Sequence, residues 1–74
     1  MASPAIDAVR HLIRDCASGC YLTSSGEWKE TCEEARNFPD PTSALRLCLR
    51  HGWSRSELVM LFGDGSVVRS PMFV

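Results

Sequence analysis

The last third of the chain contains a continuous apolar segment, Glu57-Leu58-Val59-Met60-Leu61-Phe62, followed by Gly63-Asp64-Gly65 and then by Ser66-Val67-Val68-Arg69-Ser70. An Asp-Gly pair between two runs of strand-forming residues predicts a β-hairpin. A strand with one face in water would alternate apolar and polar residues, yet every position from Leu58 to Phe62 is apolar. We therefore expect both faces of this strand to be covered.

The segment before this hairpin predicts an α-helix. Asp40 can cap its first turn, and Pro41 suits the first helical position because that position needs no amide donor. The apolar stripe of this helix comprises Ala44, Leu45, Leu47 and Cys48, and the helix should end at His51-Gly52. One helix covers only one face of a sheet, so the other face needs an N-terminal helix, the apolar tail Met72-Phe73-Val74 or a second copy of the chain.

Two further elements are expected between residues 20 and 39. Cys20-Tyr21-Leu22-Thr23 and Glu27-Trp28-Lys29 predict a short hairpin closed by Ser24-Ser25-Gly26. Thr31 and Glu34 fit a capping box that would start a short helical turn.

The N-terminal segment predicts an amphipathic helix over residues 4–18. Ser3-Pro4 resembles a helix start, and Gly19 suits the left-handed residue that ends a helix. The apolar stripe would consist of Ala5, Ile6, Val9, Leu12, Ile13 and Cys16. The predicted fold is therefore a single α+β domain over residues 1–74, with an N-terminal helix (1–18) and a ββαββ unit (20–70) forming an antiparallel four-stranded sheet with helix packing.

The ββαββ unit also contains residues that resemble those of a known group of small domains. Tyr21-Leu22, Gly26-x-Trp28, Ala35-Arg36-x-Phe38, Ala44, Glu57-Leu58-Val59-Met60 and Asp64-Gly65-Ser66-Val67 together resemble small bacterial ββαββ domains of unknown function, from about Cys20 to Arg69. The resemblance implies the architecture of the unit and no activity.

Composition limits the function classes. Eight Lys and Arg residues against nine Asp and Glu residues give a net charge of -1, which removes a general attraction to nucleic acid or anionic lipid. The N-terminus lacks the basic and apolar regions of an export signal, so we expect a cytoplasmic protein with reduced cysteines and no membrane contact.

The reactive side chains predict neither an enzyme nor a cofactor. Cys16 and Cys20 have zinc-like spacing, but no second close pair of cysteines follows. His11 belongs to a charged helix face and His51 to a helix end, so neither is expected to activate a nucleophile. We therefore expect no metal and no catalytic residue.

An uneven distribution of charge supports nucleic-acid binding as the alternative function. Residues 1–40 contain 4 basic and 7 acidic side chains, whereas residues 41–74 contain 4 basic and 2 acidic ones. Every basic residue in the second part is an arginine, namely Arg46, Arg50, Arg55 and Arg69. The alternative function is a weak nucleic-acid-binding regulator that uses these four arginines. The candidate contact residues are Arg46, Arg50 and Arg55, with Trp53 as a stacking surface.

Self-association or binding to another protein is the favoured function. The doubly apolar strand, the apolar tail and an amphipathic first helix offer more apolar surface than one small core needs. The candidate interface residues are Leu12, Val59, Leu61, Met72 and Phe73. The sequence thus predicts a non-enzymatic interaction or accessory module that forms a homodimer or binds a protein partner.

Overall fold

The structure, a computed structural model, describes residues 9–72. Within this range the elements are β1 (Arg10–Asp15), β2 (Tyr21–Leu22), β3 (Trp28–Lys29), α1 (Pro41–His51), β4 (Ser56–Leu61) and β5 (Val67–Pro71). The five strands form one antiparallel sheet in the order β3-β2-β1-β4-β5. The described part of the chain is therefore a small α+β fold that consists mostly of sheet.

The predicted N-terminal helix is wrong for residues 10–15, which form the central strand β1. Leu12 and Ile13 are both fully buried, although adjacent residues of a strand point to opposite faces. A strand covered on both faces can therefore place apolar residues side by side, as one stripe of a helix also does. Residues 16–18, which end the predicted helix, form a turn instead, and residues 4–8 lie outside the described residues. The predicted four-stranded sheet is also wrong, because the sheet has five strands.

Charged residues are accommodated in β1 because each finds a partner. The Arg10 guanidinium donates to the carbonyl oxygen of Ala35 at 3.1 Å, and Arg14 forms an ion pair with Glu57 on β4. Gly19 was expected to end a helix, but it closes the turn from β1 into β2 with φ 77°. Its amide donates a hydrogen bond to the backbone carbonyl of Asp15.

β4 lies inside the sheet between β1 and β5. It pairs with β1 along all six residues of both strands, from Arg10↔Leu61 to Asp15↔Ser56. On its other side, β1 pairs with the short β2 at Arg14↔Tyr21 and forms an isolated bridge between His11 and Phe38.

The two faces of the sheet are covered by different parts of the chain. On the helix face, α1 packs over a buried cluster that consists of Ile13, Leu22, Phe38, Ala44, Cys48 and Leu58. On the opposite face, which we call the loop face, the buried residues are Leu12, Ala35 and Val59, with Tyr21 and Cys32 packed against them. The expectation of two covered faces is confirmed for Leu58 and Val59, although a loop rather than a second helix covers the loop face.

The local signals around α1 and the hairpins are confirmed. The Asp40 side chain accepts a hydrogen bond from the amide of Ser43 at 2.7 Å, and Gly52 ends the helix with φ 69°. Both predicted hairpins form, β2 with β3 and β4 with β5. The predicted helical turn after Thr31 is wrong, because Ala35 pairs in an extended bridge with Thr23.

The single helix found within residues 9–72 is too short to cross a membrane.

Candidate functional site

The outer edge of β5 is the first candidate site. Antiparallel partners alternate between pairs that exchange hydrogen bonds and pairs that do not. The Phe62 amide donates to the carbonyl of Ser66 at 2.9 Å, and the Met72 amide donates to the carbonyl of Ser56 at 3.1 Å. The even-numbered residues of β5 therefore direct their backbone groups to β4, and the odd-numbered ones direct theirs outward.

This edge of β5, which has no strand partner in the described part of the chain, carries both polar backbone groups and apolar side chains. Val67 and Arg69 direct an N–H and a C=O outward, whereas Pro71 offers only a carbonyl because proline lacks the amide hydrogen. Every side chain of β5 is exposed, and Val67 and Val68 retain 52% and 45% of their accessible surface. The edge can therefore accept another strand.

The predicted interface residues do not form one surface on the described part of the chain. Leu12 and Val59 retain 0% and 2% of their accessible surface, because their own chain buries them. Leu61 and Met72 are half-buried, and Met72 packs against the core of the helix face. Phe73 lies outside the described residues. Sequence reasoning missed Val67 and Val68, although two adjacent valines before a proline are a readable sign of an exposed edge strand.

An aromatic cleft of about 530 Å³ is the second candidate site. Its wall includes the rings of Trp28 and Trp53, whose centroids lie 5.0 Å apart in an edge-to-face arrangement. The His51 ring stacks on Trp53 with a centroid distance of 4.4 Å. Trp28 on the edge strand β3 and Trp53 after α1 are thus brought together only by the tertiary fold.

The rim of the cleft carries charged and polar groups. The Asp15 carboxylate accepts hydrogen bonds from the hydroxyl of Ser18 at 2.7 Å and from its amide at 3.1 Å. These bonds, and to a smaller extent the charge of Arg55, lower the pKa of Asp15. The cleft therefore offers an ionised carboxylate and a guanidinium beside two tryptophans.

The histidines and cysteines of the described residues occupy separate positions in the fold. His51 stacks on Trp53, and His11 contacts the carbonyl oxygen of Phe38. No group of three His, Cys, Asp or Glu side chains within residues 9–72 is placed to hold a metal ion. All four cysteines are free, and burial raises the pKa of the Cys48 thiol, which disfavours the reactive thiolate.

A groove of about 320 Å³ along α1, the arginine groove, is the third candidate site. It is lined by Arg36, Phe38, Pro39, Ser43, Arg46, Leu47 and Arg50. Of the predicted nucleic-acid contacts, Arg46 and Arg50 lie here, whereas Trp53 and Arg55 line the aromatic cleft. Arg69 lies apart from both sites, on β5.

Arg36 was missed as a member of the arginine groove. The predicted helical turn gave Arg36 no relation to α1, whereas the extended path of residues 35–38 places it in the groove. Its guanidinium lies 4.7 Å from the centre of the Phe38 ring, which is a cation–π geometry.

No family model, no curated protein and no solved structure matches the chain. The helix and the five-stranded antiparallel sheet define a small α+β domain with three candidate surfaces, namely the edge of β5, the aromatic cleft and the arginine groove.

Proposed function

We propose that this protein is a non-enzymatic interaction module that self-associates by pairing β5 with the β5 of a second copy. The single observation that carries this proposal is the outer edge of β5, which pairs with no other strand of residues 9–72 and has two exposed valines beside outward-facing backbone groups. Exposed strand edges of this kind are templates for pairing with another strand.

The sequence of β5 favours one register for this pairing. In an antiparallel pair centred on Val68, each Val67 lies opposite the partner's Arg69, and the two residues exchange both of their backbone hydrogen bonds. The two copies of Val67 and Arg69 then form four such bonds. Pairing centred on Arg69 would place two guanidinium groups opposite each other, which is unfavourable.

Two features of β5 that oppose edge pairing fit this register. A charged residue and a proline commonly protect an edge strand. In this register Arg69 lies opposite an apolar valine and not opposite a second arginine. Pro71 lies outside the segment that forms the four hydrogen bonds, so its missing amide removes none of them.

Self-association has an energetic basis in the size of the chain. A domain of 74 residues buries only about 60% of the surface of its unfolded chain, so additional apolar burial is a substantial gain. Pairing would bring the two Val68 side chains into contact and join two five-stranded sheets into one continuous sheet. A reducing compartment such as the cytoplasm fits this proposal because the cysteines are free.

Sedimentation velocity over micromolar concentrations tests the proposal. We expect the wild-type chain to form a dimer and the Val68→Lys variant to be monomeric, because lysine at the centre of the edge places two positive charges together. Leu49→Lys is the matched control, since Leu49 is 61% exposed on α1, away from β5. A wild-type monomer of 8.2 kDa, or equal weakening by both substitutions, would refute pairing through β5.

A further inference from the structure

We infer that the arginine groove binds successive phosphate groups of a single-stranded nucleic acid. This function is independent of self-association, because the groove is built by α1 and residues 36–39 and contains no residue of β5.

The arrangement of the three arginines suits a chain of phosphates. Arg46 and Arg50 are both exposed and lie four positions apart on α1, which is about 6 Å along the helix axis. Their side chains therefore lie on the same face of the helix, one turn apart. Arg36 contributes a third guanidinium from the loop that precedes α1. Three cations spread along an open groove can contact more than one phosphate at a time.

The positive charges of the groove are not neutralised by ion pairs. The salt bridges among residues 9–72 involve Arg14 and Lys29, and none involves Arg36, Arg46 or Arg50. Asp40, whose charge interacts with Arg46, keeps its negative charge while it accepts the capping hydrogen bond from Ser43, but it is one carboxylate against three guanidinium groups. The groove therefore has an excess of positive charge, although the whole chain carries a net charge of -1.

The lining of the groove favours contact with a phosphate backbone over contact with bases. The aromatic residue in the groove is Phe38, which is only 3% exposed and is covered by the guanidinium of Arg36. A base cannot stack on it, so the interaction would come from the phosphates and would depend little on base sequence. Arginine suits this role because its guanidinium can donate two parallel hydrogen bonds to a phosphate.

The binding should depend strongly on salt. For single strands, the logarithm of the association constant falls with the logarithm of the salt concentration with a slope of about -0.7 per phosphate contacted. Three arginine contacts thus predict a slope of about -2. Replacing one arginine of the groove with alanine should reduce the slope to about -1.4 and weaken binding roughly 5- to 10-fold at low salt.

Fluorescence anisotropy of a labelled single-stranded oligothymidylate tests the inference. Arg36→Ala, Arg46→Ala and Arg50→Ala should each weaken binding and reduce the salt slope. Arg69→Ala removes the same charge from β5 and should leave both quantities unchanged. Arg50→Lys keeps the charge but not the two parallel donors, so it should keep the salt slope and bind more weakly than the wild type but more tightly than Arg50→Ala. Circular dichroism checks that every variant is folded.

Three results would overturn the inference. The first is no binding of the oligonucleotide at low salt. The second is equal weakening by Arg69→Ala, which would indicate a general charge effect instead of a site. The third is tighter binding of a phosphoserine peptide than of an oligonucleotide of equal charge. The Val68→Lys variant should bind as the wild type does, so the failure of self-association and the failure of this inference can be distinguished.

Discussion

Leu12 and Ile13 are neighbours in β1 and are both fully buried, Leu12 on the loop face of the sheet and Ile13 on the helix face under α1. Each residue packs into a different buried cluster, so these two neighbouring residues connect the core of the loop face with the core of the helix face. Leu12 pairs with Val59 and Ile13 pairs with Leu58 on β4.

Shortening either side chain should destabilise the protein substantially. Large-to-small substitutions at fully buried positions typically cost about 2 to 5 kcal/mol for Leu or Ile to Ala and about 0.5 to 1.5 kcal/mol for Ile to Val. We expect Leu12→Ala and Ile13→Ala to leave the protein largely unfolded and Ile13→Val to remain folded but weaker, as measured by urea denaturation. A loss below about 1 kcal/mol for Leu12→Ala would show that the loop face is not a packed core.

The ion pair between Arg14 and Glu57 should contribute a modest coupling energy. The two side chains are 23% and 14% exposed and join the central strands β1 and β4. Their hydrogen bond is the main reason why the pKa of Arg14 is raised. Because both groups retain contact with water, we expect a coupling of about 1 kcal/mol or less in a double-mutant cycle of Arg14→Met and Glu57→Gln. Additive effects of the two substitutions would show that the pair contributes nothing.

The cap of α1 should make stability depend on acid. The amide of Ser43 hydrogen-bonds to the Asp40 carboxylate and lowers the pKa of Asp40. A lowered pKa in the folded state gives stability that is present above the unfolded value of about 3.9 and is lost as the pH falls through the folded value.

Two substitutions separate the charge of this cap from its hydrogen bond. Asp40→Asn keeps an acceptor for the amide, so we expect nearly wild-type stability at neutral pH and a smaller loss of stability below about pH 5. Asp40→Ala should be less stable at every pH. Thermal unfolding followed from neutral to acidic pH measures both effects. Glu33→Gln is the control, since Glu33 is exposed and accepts no side-chain hydrogen bond within residues 9–72. An equal change in acid sensitivity for Glu33→Gln would contradict the role of the cap.

The four thiols should react with iodoacetamide at very different rates. Cys16 is exposed in the turn between β1 and β2, whereas Cys48 is fully buried under α1 and its pKa is raised by that burial. We expect peptide mapping by mass spectrometry to find Cys16 labelled first and Cys48 labelled only when the protein unfolds. Rapid labelling of native Cys48 would contradict its placement in the core.

A cysteine at the centre of the proposed dimer should cross-link two copies. In the register centred on Val68, the two Val68 residues form a pair without mutual hydrogen bonds, with Cα atoms about 4.5 Å apart. This distance lies within the range of about 4.4 to 6.8 Å that a disulfide requires. Val68→Cys, in a chain whose Cys16, Cys20 and Cys32 are changed to serine, should form a dimer on mild oxidation that is visible without reductant.

Val67→Cys in the same background is the control for the register. Each Val67 lies opposite the partner's Arg69, so the two new thiols would be too far apart to join. Efficient cross-linking of Val67→Cys together with none of Val68→Cys would exclude the proposed register.

Local signals were sufficient to predict α1 and the two hairpins. The cap at Asp40, the proline after it and the left-handed Gly52 are all consequences of nearby residues, as is the turn at Gly65 with its φ of 91°. These features need no information about the rest of the chain.

The strand β1 could not be predicted in the same way. Leu12 and Ile13 fit a helical stripe as well as a doubly covered strand, and the choice depends on pairing with β4, whose Glu57 is 43 positions away from Arg14. The same limit applies to the sites. The spacing of Arg46 and Arg50 is enough to predict that they share one face of α1. The position of Arg36 beside them and the position of β5 at the edge depend on the order of the strands in the sheet.

The central position of β1 also has a consequence for the order in which the protein can fold during synthesis. One neighbour of β1, the strand β2, follows it directly, but the other neighbour, β4, emerges from the ribosome much later, so one edge of β1 has no strand partner until β4 has been translated. Pairing β1 with β4 closes a long loop, which is a slow step in folding. An apolar strand that is still unpaired during this time is prone to aggregate. Until β4 appears, the growing chain therefore has to keep that edge of β1 from pairing with strands of other chains.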